Sequence, residues 1–206
     1  VELDLTDIAA VTAFPFEDFD YVVNLGGYID HMLFKDGGQS VINAHFLALQ
    51  HLISILPRKS LKRFVHVGSS DEYGNLPAPQ HEDFREDPIS PYSMAKVASS
   101  HLLQMLYKTE GFPAVILRLF LVYGPYQDER RFLPQVVKAC LCDDEFAASE
   151  GNQVRDFCYV QDVVQAIILA LRTRDVEGQI FNIASGIPVS IRSIIETVQN
   201  IVGGGK

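Results

Sequence analysis

Phe64-Val65-His66-Val67 runs without a break into Gly68-Ser69-Ser70-Asp71-Glu72-Tyr73-Gly74. A short apolar run that ends at glycine and small polar residues is the trace left by a strand covered on both faces. The pattern repeats on either side. Upstream, Val1 to Asp7 reads as a short strand entering a turn, and residues 8–20 leave room for a short crossover helix. Tyr21-Val22-Val23-Asn24-Leu25 is a second buried-strand run, closed by Gly26-Gly27. Between that run and Phe64, the apolar positions Val41, Ile42, Leu47, Leu49, Leu52, Ile53 and Leu56 keep helical spacing as far as Pro57, which ends the helix.

Downstream, a proline- and acid-rich loop over 75–91 leads to a helix that begins near Tyr92 and stops at Gly111. The strand Ala114 to Phe120 follows, closed by Tyr123-Gly124-Pro125. Past Pro134 come a helix to Cys142, a strand over 155–160, a helix over 162–171 and a strand over 179–183. Ser190 reads as the N-cap of a last helix that ends at the glycines 203–205. Strands alternating with helices of this length predict an α/β protein built from right-handed β-α-β units, with a doubly wound parallel sheet. Ligands of such folds lie beyond the carboxyl ends of the strands. Ser69, Tyr92 and the 123–125 loop fall on that edge or on helices that start there.

The chain has 206 residues, 48% hydrophobic and 21% charged, a globular composition that can bury a sizeable core. A net charge of −9 speaks against nucleic acid or an anionic membrane as partner, since both need a concentrated basic face. The three cysteines, Cys140, Cys142 and Cys158, have no paired framework and no metal-ligand spacing, so they read as reduced packing thiols and no metal site is expected. No apolar run approaches the ~20 residues of a membrane span and no signal peptide opens the sequence, so a cytoplasmic location is expected. His66 reads as a core histidine on a buried strand. His31, His45 and His51, placed in one helical neighbourhood without companion carboxylates, read as surface or packing residues.

Pro91-Tyr92-Ser93-Met94-Ala95-Lys96 carries the chemistry. Tyr92 and Lys96, four residues apart on a helix, stand one turn apart on one face. A free phenol titrates near ~10, and an ammonium held beside it favours the phenolate, so the pair can act as a base. The spacing alone is common on solvated helices; its surroundings give it meaning.

Those surroundings are Ser69-Ser70, Arg118-Leu119-Phe120 with Tyr123-Gly124-Pro125, Arg155-Asp156-Phe157, and Asn182-Ile183-Ala184-Ser185-Gly186. In this order the motifs resemble the extended short-chain dehydrogenase/reductases, the NAD-dependent nucleotide-sugar epimerases and dehydratases. The resemblance implies a Rossmann-like sheet with NAD as cofactor, NADP not being excluded, a nucleotide sugar as substrate, and a homodimer. It implies Ser69 as the catalytic hydroxyl, with Ser70 as the alternative, Tyr92 as base and Lys96 as its partner. Asp4 and Leu5 match the segment that holds adenine, and Leu25, Gly26 and Gly27 the pyrophosphate side. Asn43 matches a helix asparagine behind the site, while Val67 and Val122 line the cofactor together with Tyr92 and Lys96. Arg155 matches an arginine that grips the nucleotide diphosphate. Leu121 stands where the family usually has asparagine, which puts the usual substrate set in doubt. Asp71 and Glu72 are similar to the acid pair of the dehydratases, on a loop one residue shorter.

By the same resemblance, residues 1–125 and 155–184 are expected to form a dinucleotide-binding domain, and 126–154 with 185–206 a substrate-binding part. The family's first strand and Gly-rich turn have no counterpart here, so the chain is expected to be incomplete at its N-terminus. It is also expected to lack part of the small substrate domain. A ketoreductase of the same fold and a non-catalytic dinucleotide-binding relative are the alternative readings.

Overall fold

The computed structural model describes residues 2–16, 18–146 and 149–205. In chain order its first half holds α1 (Ile8–Ala13), β1 (Tyr21–Asn24), α2 (Gly38–Ile42), a π-helical turn (Asn43–Leu47), α3 (Ala48–Ile55), β2 (Arg63–Ser69) and α4 (Pro91–Glu110). Then follow β3 (Ala114–Leu119), β4 (Leu121–Tyr123), α5 (Phe132–Cys142), β5 (Val154–Tyr159), α6 (Val160–Arg172), β6 (Ile180–Ile183), β7 (Pro188–Ser190) and α7 (Ile191–Val202). The chain divides into two compact units, 1–119 with 166–182, and 120–165 with 183–206. The second unit thus takes 120–125, 155–165 and 183–184, which the resemblance assigns to the dinucleotide-binding domain.

In the first unit the sheet order is β1-β2-β3-β6, and β2 pairs in parallel with both β1 and β3. The expected α/β parallel sheet is therefore present. β2 and β3 are its buried centre: Phe64, Val65, Ala114, Val115 and Ile116 are fully enclosed. Each large apolar side chain so buried contributes about 1.5–3 kcal/mol. Leu49, Leu52, Ile53 and Leu56 on one side of α3 pack with Leu103 and Leu106 of α4 into the same cluster, as the helical spacing predicts.

β1 departs from the buried-strand expectation. It lies at one end of the strand order, and Tyr21 is 51% exposed. The strand expected over Val1 to Asp7 is not formed in the described part, because local bonds compete with a ladder there. Asp4 Oδ1 accepts from Thr6 N at 2.8 Å and from Thr6 Oγ1 at 2.7 Å, and Asp7 then caps α1.

α4 begins where its sequence says. Ser90 accepts from Ser93 N at 3.1 Å, Pro91 occupies the first turn, and Gly111 closes the helix with φ 65°. In the second unit β4 and β5 run parallel while β5 and β7 run antiparallel. β7, only three residues long, was not legible in the sequence. Val136, Cys140 and Val198 form the core of this unit between α5 and α7. Cys142, two positions on, is exposed, and all three cysteines are free.

Candidate active site

The site grows from the end of β2 and the first turns of α4. Ser69 closes β2 and caps the turn that follows, its Oγ accepting from Asp71 N at 3.1 Å. With a lone pair engaged in this way, the hydroxyl hydrogen remains to be donated. Ser70 opens the 3₁₀ turn behind it. Tyr92 and Lys96, 5% and 4% exposed, stand one turn apart on the face of α4 turned into the unit. Lys96 Nζ donates to Val67 O at 2.8 Å and lies 5.8 Å from the centre of the Tyr92 ring. Burial lowers the Lys96 ammonium to about 8, against the pull of the Glu72 charge.

Glu72 does not take the place expected of a catalytic acid. Its side chain is fully buried, one oxygen accepting from Ser69 N at 3.0 Å and the other from Arg118 Nε and Ser100 Oγ, both at 2.9 Å. Both oxygens are engaged inside the protein while Asp71 is half exposed, so the two carboxylates do not face one site as an acid pair. Gly68 makes the arrangement possible, since a Cβ there would come within 2.6 Å of Glu72 Oε1. Asp71 remains half exposed at the mouth of the site.

Two histidines that sequence reasoning had set aside stand edge-on to Tyr92. The His31 ring is 5.6 Å from the Tyr92 ring at 79°, and that of His45 5.1 Å at 82°. His31 lies on the loop after β1 rather than on a helix, with Nε2 3.6 Å from Asp71 Oδ2. His45 sits in the π-helical turn, whose extra residue shifts the inward face of the helix. That insertion has no signature in the residue types, and so His45 was missed. Its Nε2 is 2.7 Å from Tyr28 O and must donate to it. Burial, with the Lys96 charge added, lowers His45 to about 4. His66 is the enclosed histidine expected, Nδ1 3.1 Å from Asn24 Nδ2, and burial above all holds it well below the ordinary imidazole value.

These two imidazoles make the fold acid-labile. An unfolded imidazole takes its proton near ~6.5, so between about 6.5 and 4 the unfolded state binds more protons and stability falls with falling pH. Denaturant titrations at a series of pH values over this window should show that loss, and His45→Gln should flatten part of it.

A cleft of about 260 Å³ opens beside this cluster, lined among others by Asp4, Leu5, Asn24, Gly26, Gly27 and His45. Gly27 has φ +103°, and a Cβ there would meet His45 Cε1 at 2.1 Å. Glycine is therefore required at 27, for its positive φ and so that the His45 ring can lie against the backbone that lines the cleft. A glycine floor with mixed polar and apolar walls fits a nucleoside portion of a dinucleotide. Leu25, expected in the lining, is 65% exposed, and Asn24 lines the cleft. Asn43 starts the π-helical turn and accepts from Gln39 Nε2 at 2.9 Å. In the second unit, Leu121 is 44% exposed, Val122 O accepts from Gln127 Nε2, and the exposed Arg155 donates to Val154 O. Among the described residues no group of three or more His, Cys, Asp or Glu could hold a metal ion, and no helix is long and apolar enough to cross a membrane.

Fold and site together define an α/β protein with a tyrosine–lysine pair and a strand-end serine beside a glycine-floored cleft. The sequence profile of the NAD dependent epimerase/dehydratase family matches residues 1–184, and the chain belongs to that family. It is 30% identical over 157 residues to the uncharacterized UDP-glucose epimerase YtcB of Bacillus subtilis, covering 76% of this chain and 50% of that one. It is 26% identical over 203 residues to the dTDP-D-glucose 4,6-dehydratase of Dictyostelium discoideum, covering 91% and 46%. The chain thus spans about half the length of these curated relatives. Among solved structures, UDP-glucuronic acid 4-epimerase from Bacillus cereus in complex with NAD superposes with a TM-score of 0.83 at 30% identity, covering 92% of this chain and 63% of that one.

Proposed function

We propose that this chain carries the acid–base centre of an NAD-dependent enzyme that oxidises a hydroxyl of a nucleotide sugar. The observation that carries the reading is the enclosure of Tyr92 and Lys96 on one face of α4, with Lys96 tied to the end of β2 through Val67 O and His45 linking Tyr92 to the glycine-floored cleft. Tyr92, as phenolate, takes the proton of the sugar hydroxyl, and Ser69 donates a hydrogen bond to the same oxygen. Lys96 supplies positive charge at the tyrosine while Val67 O fixes its position. NAD, when bound, supplies a two-electron acceptor for the carbon-bound hydrogen. Asp4, Leu5, Gly26 and Gly27 are assigned to the cofactor, NADP being the alternative occupant. Leu121, Val122 and Arg155 are assigned to the second unit's share of substrate and cofactor, and Ser70 to the substrate's edge. With Glu72 committed to Arg118, epimerisation is favoured over water elimination by a paired acid. A homodimer is assigned to the outer side of α4, where Met94 and Met105 are about half exposed; a monomeric sedimentation profile at micromolar concentration would remove that assignment.

The direct test is incubation with NAD and a panel of nucleotide sugars, following the reduced-nicotinamide absorbance and the product mass. Transient reduction with an isomeric product is expected. NAD binding with no sugar turned over would leave a dinucleotide-binding protein instead.

The ammonium makes a further expectation. Lys96 is charged below about 8 and neutral above it, so the rate of cofactor reduction falls as pH rises through that value. Lys96→Met should lower the rate about 10²-fold and remove this limb from the pH profile.

A further inference from the structure

The cleft has apolar side chains on two sides, Leu3 and Leu5 from the N-terminal segment and Ala48 and Leu49 from α3. A flat base, apolar on both faces, suits such a slot. The N-terminal wall has little backbone support of its own. Residues 2–7 form no strand, so no ladder fixes them to a neighbour. Among the described residues, the hydrogen bonds of this segment stay inside it or pass into α1, with one exception. Thr6 N and Oγ1 donate to Asp4 Oδ1, Asp7 N donates to Asp4 O at 3.2 Å, and Ala9 N and Ala10 N donate to Asp7 Oδ1. The exception is His51, on α3, whose Nδ1 lies 2.8 Å from Leu5 O, 46 residues away in sequence. A carbonyl oxygen only accepts, so Nδ1 carries the hydrogen and donates it. The Leu5 side chain also packs against the core cluster that includes Leu49 and Leu52. That apolar contact has no preferred direction, whereas a hydrogen bond of this length fixes the place of one backbone atom.

From this arrangement we infer that His51 is a positioning residue for the adenosine portion of the dinucleotide. Its bond to Leu5 O ties the N-terminal wall to α3, the helix that forms the facing wall, and so sets the width of the slot that a purine enters. The inference rests on the assignment of Asp4 and Leu5 to the adenine side of the cofactor. His51 itself lies behind the wall and touches the ligand only through the backbone it holds.

Two measurements on the whole chain test the inference, each on the unaltered protein, on His51→Leu, which keeps bulk without a donor, and on His51→Asn, which keeps an N–H near the place of Nδ1. The first is calorimetric titration with NAD, adenosine diphosphate and nicotinamide mononucleotide. His51→Leu should weaken NAD and adenosine diphosphate about fivefold, the net worth of one hydrogen bond, and leave nicotinamide mononucleotide unchanged. His51→Asn should recover most of the loss. An equal loss for nicotinamide mononucleotide would mark a general loosening of the fold and overturn the inference, as would undiminished adenosine diphosphate binding or a loss that asparagine does not recover. The second measurement needs no ligand. Amide hydrogen exchange at Thr6 and Asp7, whose N–H groups bond within the segment, should quicken about fivefold in His51→Leu while the amides of β2 keep their rates, and His51→Asn should restore it. Unchanged exchange at Thr6 and Asp7 overturns the tie. If the unaltered chain binds none of the three nucleotides, the proposed function fails, and exchange alone decides whether His51 fixes the wall.

Discussion

Tyr92→Phe should lower the rate of cofactor reduction about 10³-fold, within the range set by removal of a positioned general base, and leave the fold and cofactor affinity little changed. The substitution removes one oxygen. The ring keeps its edge contacts with His31 and His45 at 5.6 and 5.1 Å, and its place in the buried face of α4. What disappears is the atom proposed to accept the sugar proton. Single-turnover reduction with a sugar accepted by the unaltered protein measures the loss, and nucleotide titration with a thermal melt supplies the control. A rate within a few-fold of the original would mean that the proton goes elsewhere, and the site as drawn would be wrong.

Glu72→Ala should cost about 3–5 kcal/mol, the range for removing one partner of a buried ion pair. Arg118 is fully buried and holds Glu72 Oε2 at 2.9 Å and Glu86 Oε1 at 2.5 Å. Alanine leaves the buried Arg118 Nε without its acceptor and strands Ser100 Oγ and Ser69 N as well. Glu86 remains, which places the effect toward the lower end of the range. Glu72→Gln keeps an acceptor for Arg118 and a similar volume, so its loss should be smaller. Chemical denaturation of the three proteins at neutral pH distinguishes them; a loss under about 1 kcal/mol for the alanine variant, as at an exposed pair, would show that the carboxylate is not enclosed in solution. Because Ser69 is tied to Glu72 through its backbone, the alanine variant should also lose activity at temperatures where it remains folded.

The motifs that carried the sequence reading turn out to have a physical basis in the fold. Arg118 belongs with Glu72 because one neutralises the other inside the first unit. Tyr73 belongs with Asn182 because its hydroxyl donates to Asn182 Oδ1 at 2.8 Å. In the second unit, Asp156 belongs with Ser185-Gly186 because its carboxylate accepts both of their backbone N–H groups at 2.7 Å. A sequence records such pairs as residue types at fixed places without showing which of them are ties and which are reagents. Glu72 was therefore read as a catalytic acid when it is the partner of a buried arginine.

By itself the sequence determined the order of most strands and helices, though not the N-terminal stretch or β7, the boundaries of α4 through Ser90, Pro91 and Gly111, and the pairing of Tyr92 with Lys96. Each of these depends on neighbours within about one helical turn, where periodicity and capping act directly on the chain. The placing of His31 and His45 against Tyr92, and of Asp71 beside His31, was decided only by the tertiary structure. A loop, a π-helical turn and a 3₁₀ turn brought them together, and contacts between segments far apart in sequence leave no local period to read. The turning inward of Glu72 was settled in the same way, by a charge on β3 46 residues further along the chain.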